Sequence, residues 1–115
     1  MAIQKKRAYE KPADADGFRV LVDRIWPRGV TKEKLMVDLW LKSMAPSTEL
    51  RKWFGHDPKK WNEFRRRYFK ELDSRPEDVQ LLREKMRRGP LTLVFGSKEE
   101  RFNNAEAIKE YLERR

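Results

Sequence analysis

Arg24 and Arg28 flank Trp26 and Pro27 at the end of an apolar run that begins Val20-Leu21-Val22. A guanidinium is a planar fork of donors that matches a carboxylate or phosphate. Two of them in one turn could grip an anion, with Trp26 as a stacking surface. Ligands of open parallel sheets gather beyond the carboxyl ends of the strands. A second apolar run, 91–95, ends in Gly96-Ser97-Lys98. Thr31 and Asn103 are placed to cap helices, whose first turns carry unpaired N–H groups and the positive end of the helix dipole. These residues together describe a phosphate or carboxylate pocket. The plainer alternative is that Arg24 pairs with Asp23 or another carboxylate while Trp26 plugs the end of the sheet.

A second group lies at 51–58, where Arg51 and His56 could complete that pocket. His56 is the only histidine of the chain. It is the candidate for acid–base work, against a structural role in a loop hydrogen bond. Asp57 follows it, but an Asp before Pro58 is better explained as a helix cap. With no cysteine there is no disulfide and no thiolate nucleophile. A transition-metal site would fall to carboxylates, so none is expected. Ser47 lies outside any Gly-x-Ser-x-Gly elbow, and no phosphate-loop or dinucleotide fingerprint names a cofactor.

A third group could serve nucleic acid. Six aromatics fall within 53–69, interleaved with Arg65-Arg66-Arg67. Stacking surfaces beside phosphate-binding cations are what such binding needs. However, Trp61, Phe64, Tyr68 and Leu72 recur at helical spacing, which makes them a core stripe. Lys59, Lys60, Arg66, Arg67 and Lys70 lie mostly off it. The alternative function is therefore a nucleic-acid or acidic-partner module on the basic face of a helix at 57–72.

The elements that must position these groups follow from pattern and punctuation. The 115 residues suit one domain, 1–115. The formal net charge of +9 favours anionic partners or simple solubility. An edge strand is expected at 3–9, then a turn at 11–17. A strand at 18–24 has apolar residues on both alternation classes, as in a sheet covered on two faces. Thr31 caps a short helix to residue 36, with Val30 and Leu35 as a hydrophobic staple. A strand at 37–41 places Val37, Leu39 and Leu41 on one side. Ser47 caps a helix ended by Gly55. Ser74 and Glu77 match a capping box for a helix that stops at Gly89-Pro90. A third clear strand covers 91–95, and Asn103 caps the last helix. Strands alternating with helices predict an α/β fold, a small open, mainly parallel sheet with helices packed on its faces. The strands at 18–24 and 91–96 are separated by enough chain to be parallel neighbours. The N-terminus lacks the apolar run of a secretory signal, and no stretch approaches the ~20 apolar residues of a membrane span. A cytoplasmic protein without a membrane partner is expected.

Taken together, Val-Leu-Val-Asp-Arg-Ile-Trp-Pro-Arg-Gly at 20–29, Asp-Leu-Trp-Leu-Lys at 38–42, Ala-Pro-Ser-Thr-Glu-Leu-Arg-Lys-Trp-Phe-Gly-His-Asp at 45–57 and Asn103-Asn104-Ala105 resemble the YeaO-like proteins. These form domain of unknown function family number 488. The resemblance spans residues 17–112 and implies a small cytosolic α/β protein without implying a reaction. Related sequences commonly carry Tyr in the third clear strand and His before the Asn of the last helix. Here those places are Phe95 and Phe102. Loss of that hydroxyl and imidazole weakens an enzymatic reading and leaves an arginine-centred binding site intact.

Overall fold

Apolar residues on both alternation classes make 18–21 and 91–95 strands that water reaches from neither face. In the computed structural model, which describes residues 3–114, they are the inner strands of a four-stranded parallel sheet. The strands are β1 (Ile3–Arg7), β2 (Phe18–Leu21), β3 (Leu39–Trp40) and β4 (Leu91–Phe95), in spatial order β1-β4-β2-β3. The expected parallel pairing of the second and last strands is present, with Phe18 opposite Leu91 and Leu21 opposite Val94. The fold is α/β, as the alternation of strands and helices requires.

Three strands are shorter than their patterns predict, and β1 ends at Arg7, where the chain turns. β2 ends at Leu21, although the Val22 N–H still donates to the Val94 carbonyl at 3.1 Å. Asp23 and Arg24 have left the sheet. β3 holds only Leu39 and Trp40. Val37 packs with Trp40 in a cluster around Leu21 and Val94, whereas Leu39 and Leu41 join the main core. The expectation that Val37, Leu39 and Leu41 share a side is therefore corrected. A two-residue strand cannot carry alternation back to Val37, and the left-handed backbone of Met36 turns the chain just before it.

Among the described residues the sheet is joined by five α-helices, α1 (Lys32–Leu35), α2 (Thr48–Phe54), α3 (Trp61–Asp73), α4 (Pro76–Arg88) and α5 (Asn104–Glu113), and by short 3-10 turns. Thr31, Ser47 and Asn103 cap α1, α2 and α5 by accepting the N–H of Lys34, Leu50 and Glu106. Gly55 ends α2 in the left-handed conformation, and Asp57 caps a 3-10 turn at Pro58–Lys60 that separates α2 from α3. The capping box at Ser74 does not form. Arg75 occupies the cap position of α4, and the Ser74 hydroxyl donates backwards to the Glu71 carbonyl at 2.5 Å. With so few residues between α3 and α4, Ser74 is needed to close the first helix and cannot open the second.

Val20 and Leu93 point into the main core with the apolar stripes of α2 to α5, and Leu21 and Val94 face the smaller cluster that contains Leu35 of α1. Trp61, Phe64, Tyr68 and Leu72 are all buried. Burial of such side chains is worth about 1.5–3 kcal/mol each before entropy is charged. The smaller face also holds a buried ion pair, Arg19 Nη1 to Asp16 Oδ2 at 2.7 Å. Arg19 also donates through Nη2 to the Leu35 carbonyl and through Nε to the Met36 carbonyl. Gly17 is required beside this pair: its φ is +66°, and a Cβ there would lie 2.3 Å from the Pro90 carbonyl oxygen. Among the described residues no helix is long and apolar enough to cross a membrane.

Candidate functional site

A cavity of about 370 Å³ opens beyond the carboxyl ends of β2 and β4. Three stretches of chain build it. The first leaves β2 and brings Asp23, Arg24 and Ile25. The second is Ala45 and Pro46 with α2 and its exit, which bring Arg51, Lys52, Phe54 and His56. The third runs from Ser97 to the start of α5, bringing Phe102, Asn103 and Asn104, while Phe64 of α3 reaches in from the core.

Asp23 organises the sheet side of the cavity. Its Oδ2 accepts the Gly96 N–H at 2.7 Å, and its Oδ1 accepts from Asn104 Nδ2 at 3.1 Å. Asn104 Nδ2 is shared with the Val22 carbonyl, and the Asp23 carbonyl accepts from Trp40 Nε1. One carboxylate thus ties the end of β2 to the end of β4 and to α5. Burial pushes this carboxyl above its ordinary value, against the two hydrogen bonds and the positive charge of Arg51. Asp23 carries the site's architecture, yet in the sequence it stands out only as the first charged residue after an apolar run.

The cations stand opposite. Arg24 donates through Nη1 to the Thr48 hydroxyl in the first turn of α2, and so is not paired with Asp23. Among the described residues Arg24, Arg51, Lys52 and His56 form no ion pair. His56 follows Gly55 with φ of +58°, so the exit of α2 contains two consecutive left-handed residues. That turn brings the imidazole back beside Phe54, with ring centroids 6.2 Å apart.

The residues expected to bind ligand divide. Arg24, Arg51 and Asn103 line the cavity together with His56. The Asn103 side chain is already spent, accepting the Glu106 N–H and donating to the Glu99 carbonyl, each at 2.8 Å. Trp26 lies elsewhere: its Nε1 donates to the Val30 carbonyl at 2.6 Å and its ring meets Trp40 edge-on at 5.3 Å. It belongs to the smaller apolar cluster, where, beyond the end of β2, it packs against Trp40. Arg28 is exposed outside the cavity lining, its carbonyl accepting from the Tyr9 hydroxyl. Lys98 is also exposed and outside the lining, since the turn after β4 presents Ser97 there instead. Of the two phenylalanines singled out in the sequence, Phe102 lines the cavity and Phe95 is buried in the main core.

The arginines of α3 are paired, whereas Lys59 and Lys70 form no ion pair among the described residues. Arg66 and Arg67 share Glu63 at 2.6 and 2.8 Å, and Arg65 reaches Glu110 at 2.5 Å. The bonds from Arg66 and then Arg67 hold the Glu63 carboxyl down at about 2. Trp61, Phe64 and Tyr68 are buried and offer bases no stacking surface. Trp53 lies under Lys60 and Arg67, at 5.0 and 4.2 Å from its centroid.

Comparison with known proteins places the chain among relatives without an assigned activity. No solved structure matches it. The uncharacterized protein YeaO of Escherichia coli is 39% identical over 112 residues, which span 97% of this chain and 97% of that protein. The uncharacterized protein Rv3073c of Mycobacterium tuberculosis is 49% identical over 70 residues, covering 61% of this chain and 59% of that protein. The family model described as the inactive DUF488-N3 subclade matches residues 2–115. The chain therefore belongs to the YeaO-like DUF488 proteins, within the subclade described as inactive DUF488-N3.

Proposed function

We propose that this protein binds a small anion, a phosphate or a carboxylate, in the cavity at the carboxyl end of its sheet. Arg24 and Arg51 are the principal holders, and Lys52 and His56 stand at the rim. One observation carries the reading: Arg24, Arg51 and Lys52, none of them in an ion pair among the described residues, line a concavity whose one acidic group, Asp23, accepts from Gly96 and Asn104. Arg24 is pre-aimed by Thr48, which lowers the entropy cost of engaging a ligand. Each guanidinium–anion pair at about 4 Å is worth roughly 1 kcal/mol in water-like surroundings and about 4 kcal/mol where water is partly excluded.

Binding without turnover is the form of this reading that the description of the matching family as inactive supports. A nucleic-acid module on α3 has less support, because Glu63 and Glu110 already hold its arginines. The test is thermal denaturation across phosphate, acetate and larger carboxylates. A ligand that binds the native state raises the melting temperature by mass action. The rise is expected in the wild type and lost in an Arg24→Ala, Arg51→Ala double variant. An equal rise in both proteins, or none in either, sinks the proposal.

A further inference from the structure

We infer that the anion taken by this site carries a flat ring, and that Phe102 is the residue selecting for it. This rests on the anion-binding reading above and goes on to the class of ligand. The first observation is size. A cavity of about 370 Å³ is far larger than an inorganic anion needs. Phosphate or acetate would fill only part of it, and a pocket of this size suits an organic molecule.

The second observation is the lining itself. The positive charges come from the loop after β2 and from α2. Pro46, Phe54, Phe64 and Phe102 form one apolar wall, and Ile25, 71% exposed, adds apolar surface on the loop after β2. Phe54 and Phe64 are stacked, with centroids 4.3 Å apart, and are almost wholly buried. Phe102 stands at the edge of the same aromatic group, 5.3 Å from Trp61, and is half-buried. An inorganic anion held by Arg24 and Arg51 would leave this wall against water. A ring with an anionic substituent covers it while the substituent meets the guanidiniums. Of the four residues of that wall Phe102 is the least buried, and its ring already takes the Arg101 guanidinium at 5.2 Å.

Titration calorimetry with inorganic phosphate, methyl phosphate, phenyl phosphate and benzyl alcohol tests this. Phenyl phosphate is expected to bind at least about tenfold more tightly than methyl phosphate, a ratio within reach of one buried ring. Phe102→Ala is expected to erase most of that ratio while leaving inorganic phosphate affinity within about twofold, and Phe102→Leu to erase part of it. Equal affinity for the two esters overturns the ring selection and leaves anion binding standing. Binding of none of the anions overturns both, and so does benzyl alcohol binding as tightly as phenyl phosphate. A ratio unchanged in both Phe102 variants, each shown to melt cooperatively, overturns the assignment to Phe102.

Discussion

Asp23 and Gly96 are joined across the carboxyl end of the sheet, the Gly96 N–H donating to Asp23 Oδ2 at 2.7 Å. The contact links the exits of β2 and β4, which are neighbours in the sheet although most of the chain separates them. It also engages the one acidic side chain lining the cavity, a carboxyl that feels the charge of Arg51 without an ion pair to it.

Asp23→Ala leaves the Gly96 N–H and the Asn104 amide without this acceptor. The expected loss is about 1–3 kcal/mol, the usual cost of stranding buried polar groups. Urea midpoints at constant m measure it. The pH dependence has a definite sign. Burial raises the folded carboxyl above its ordinary 3.8, so between those values the native state holds more proton than the unfolded chain. Stability from this group is therefore complete below 3.8 and declines as pH rises through the folded value. The wild type should lose ground to Asp23→Asn across that window. Parallel stability profiles would contradict the assignment.

Asp16 behaves in the opposite sense. Burial raises its carboxyl, but bonds from Lys6, the Ala13 N–H and Arg19 outweigh burial and leave it below its ordinary 3.8. The stability it contributes is present above 3.8 and is lost as pH falls through the lower folded value. Asp16→Ala leaves the buried Arg19 guanidinium with carbonyl partners alone. A cost of about 3–5 kcal/mol is expected, as for other buried pairs cut on one side. Chemical denaturation at neutral pH checks the magnitude, and a loss under about 1 kcal/mol would show that the carbonyls suffice.

Glu63 is the exposed counterpart. It binds Arg66 and Arg67 together on the outer face of α3. Exposed pairs contribute little to folding, so Glu63→Gln should leave the melting temperature nearly unchanged. It should also free two guanidiniums and lengthen retention on a heparin column at low salt, with the gain disappearing as salt screens it. Unchanged retention would mean that these arginines do not respond to polyanions even when released.

Much of the fold was legible in short stretches. Apolar residues on both alternation classes of 18–21 and 91–95 demand cover on two faces, and both faces are covered. The caps Thr31, Ser47 and Asn103 act within three residues of themselves, so their identities sufficed. The stripe Trp61, Phe64, Tyr68 and Leu72 depends only on helical pitch, and it is buried. Ser74 shows where local rules stop, because two helices compete for one hydroxyl and the preceding one takes it.

The candidate site was legible only in part. Residue type singled out Arg24 after a strand, Asn103 at a helix start, and Arg51 and His56 in the group at 51–58, and these four line one cavity. Trp26, Arg28 and Lys98 lie outside its lining, because the direction of a side chain beyond a strand end is set by the packing it meets. For Trp26 that packing is Trp40. The sequence by itself determined which residues could form strands, caps and a core stripe, since those depend on neighbours a few positions away. Tertiary structure alone decided that Arg24 should turn to Thr48, that Asp23 should tie Gly96 to Asn104, and that Phe102 should line the same cavity as Arg51 and Lys52. Each of those relations joins segments that become adjacent only once β2 pairs with β4.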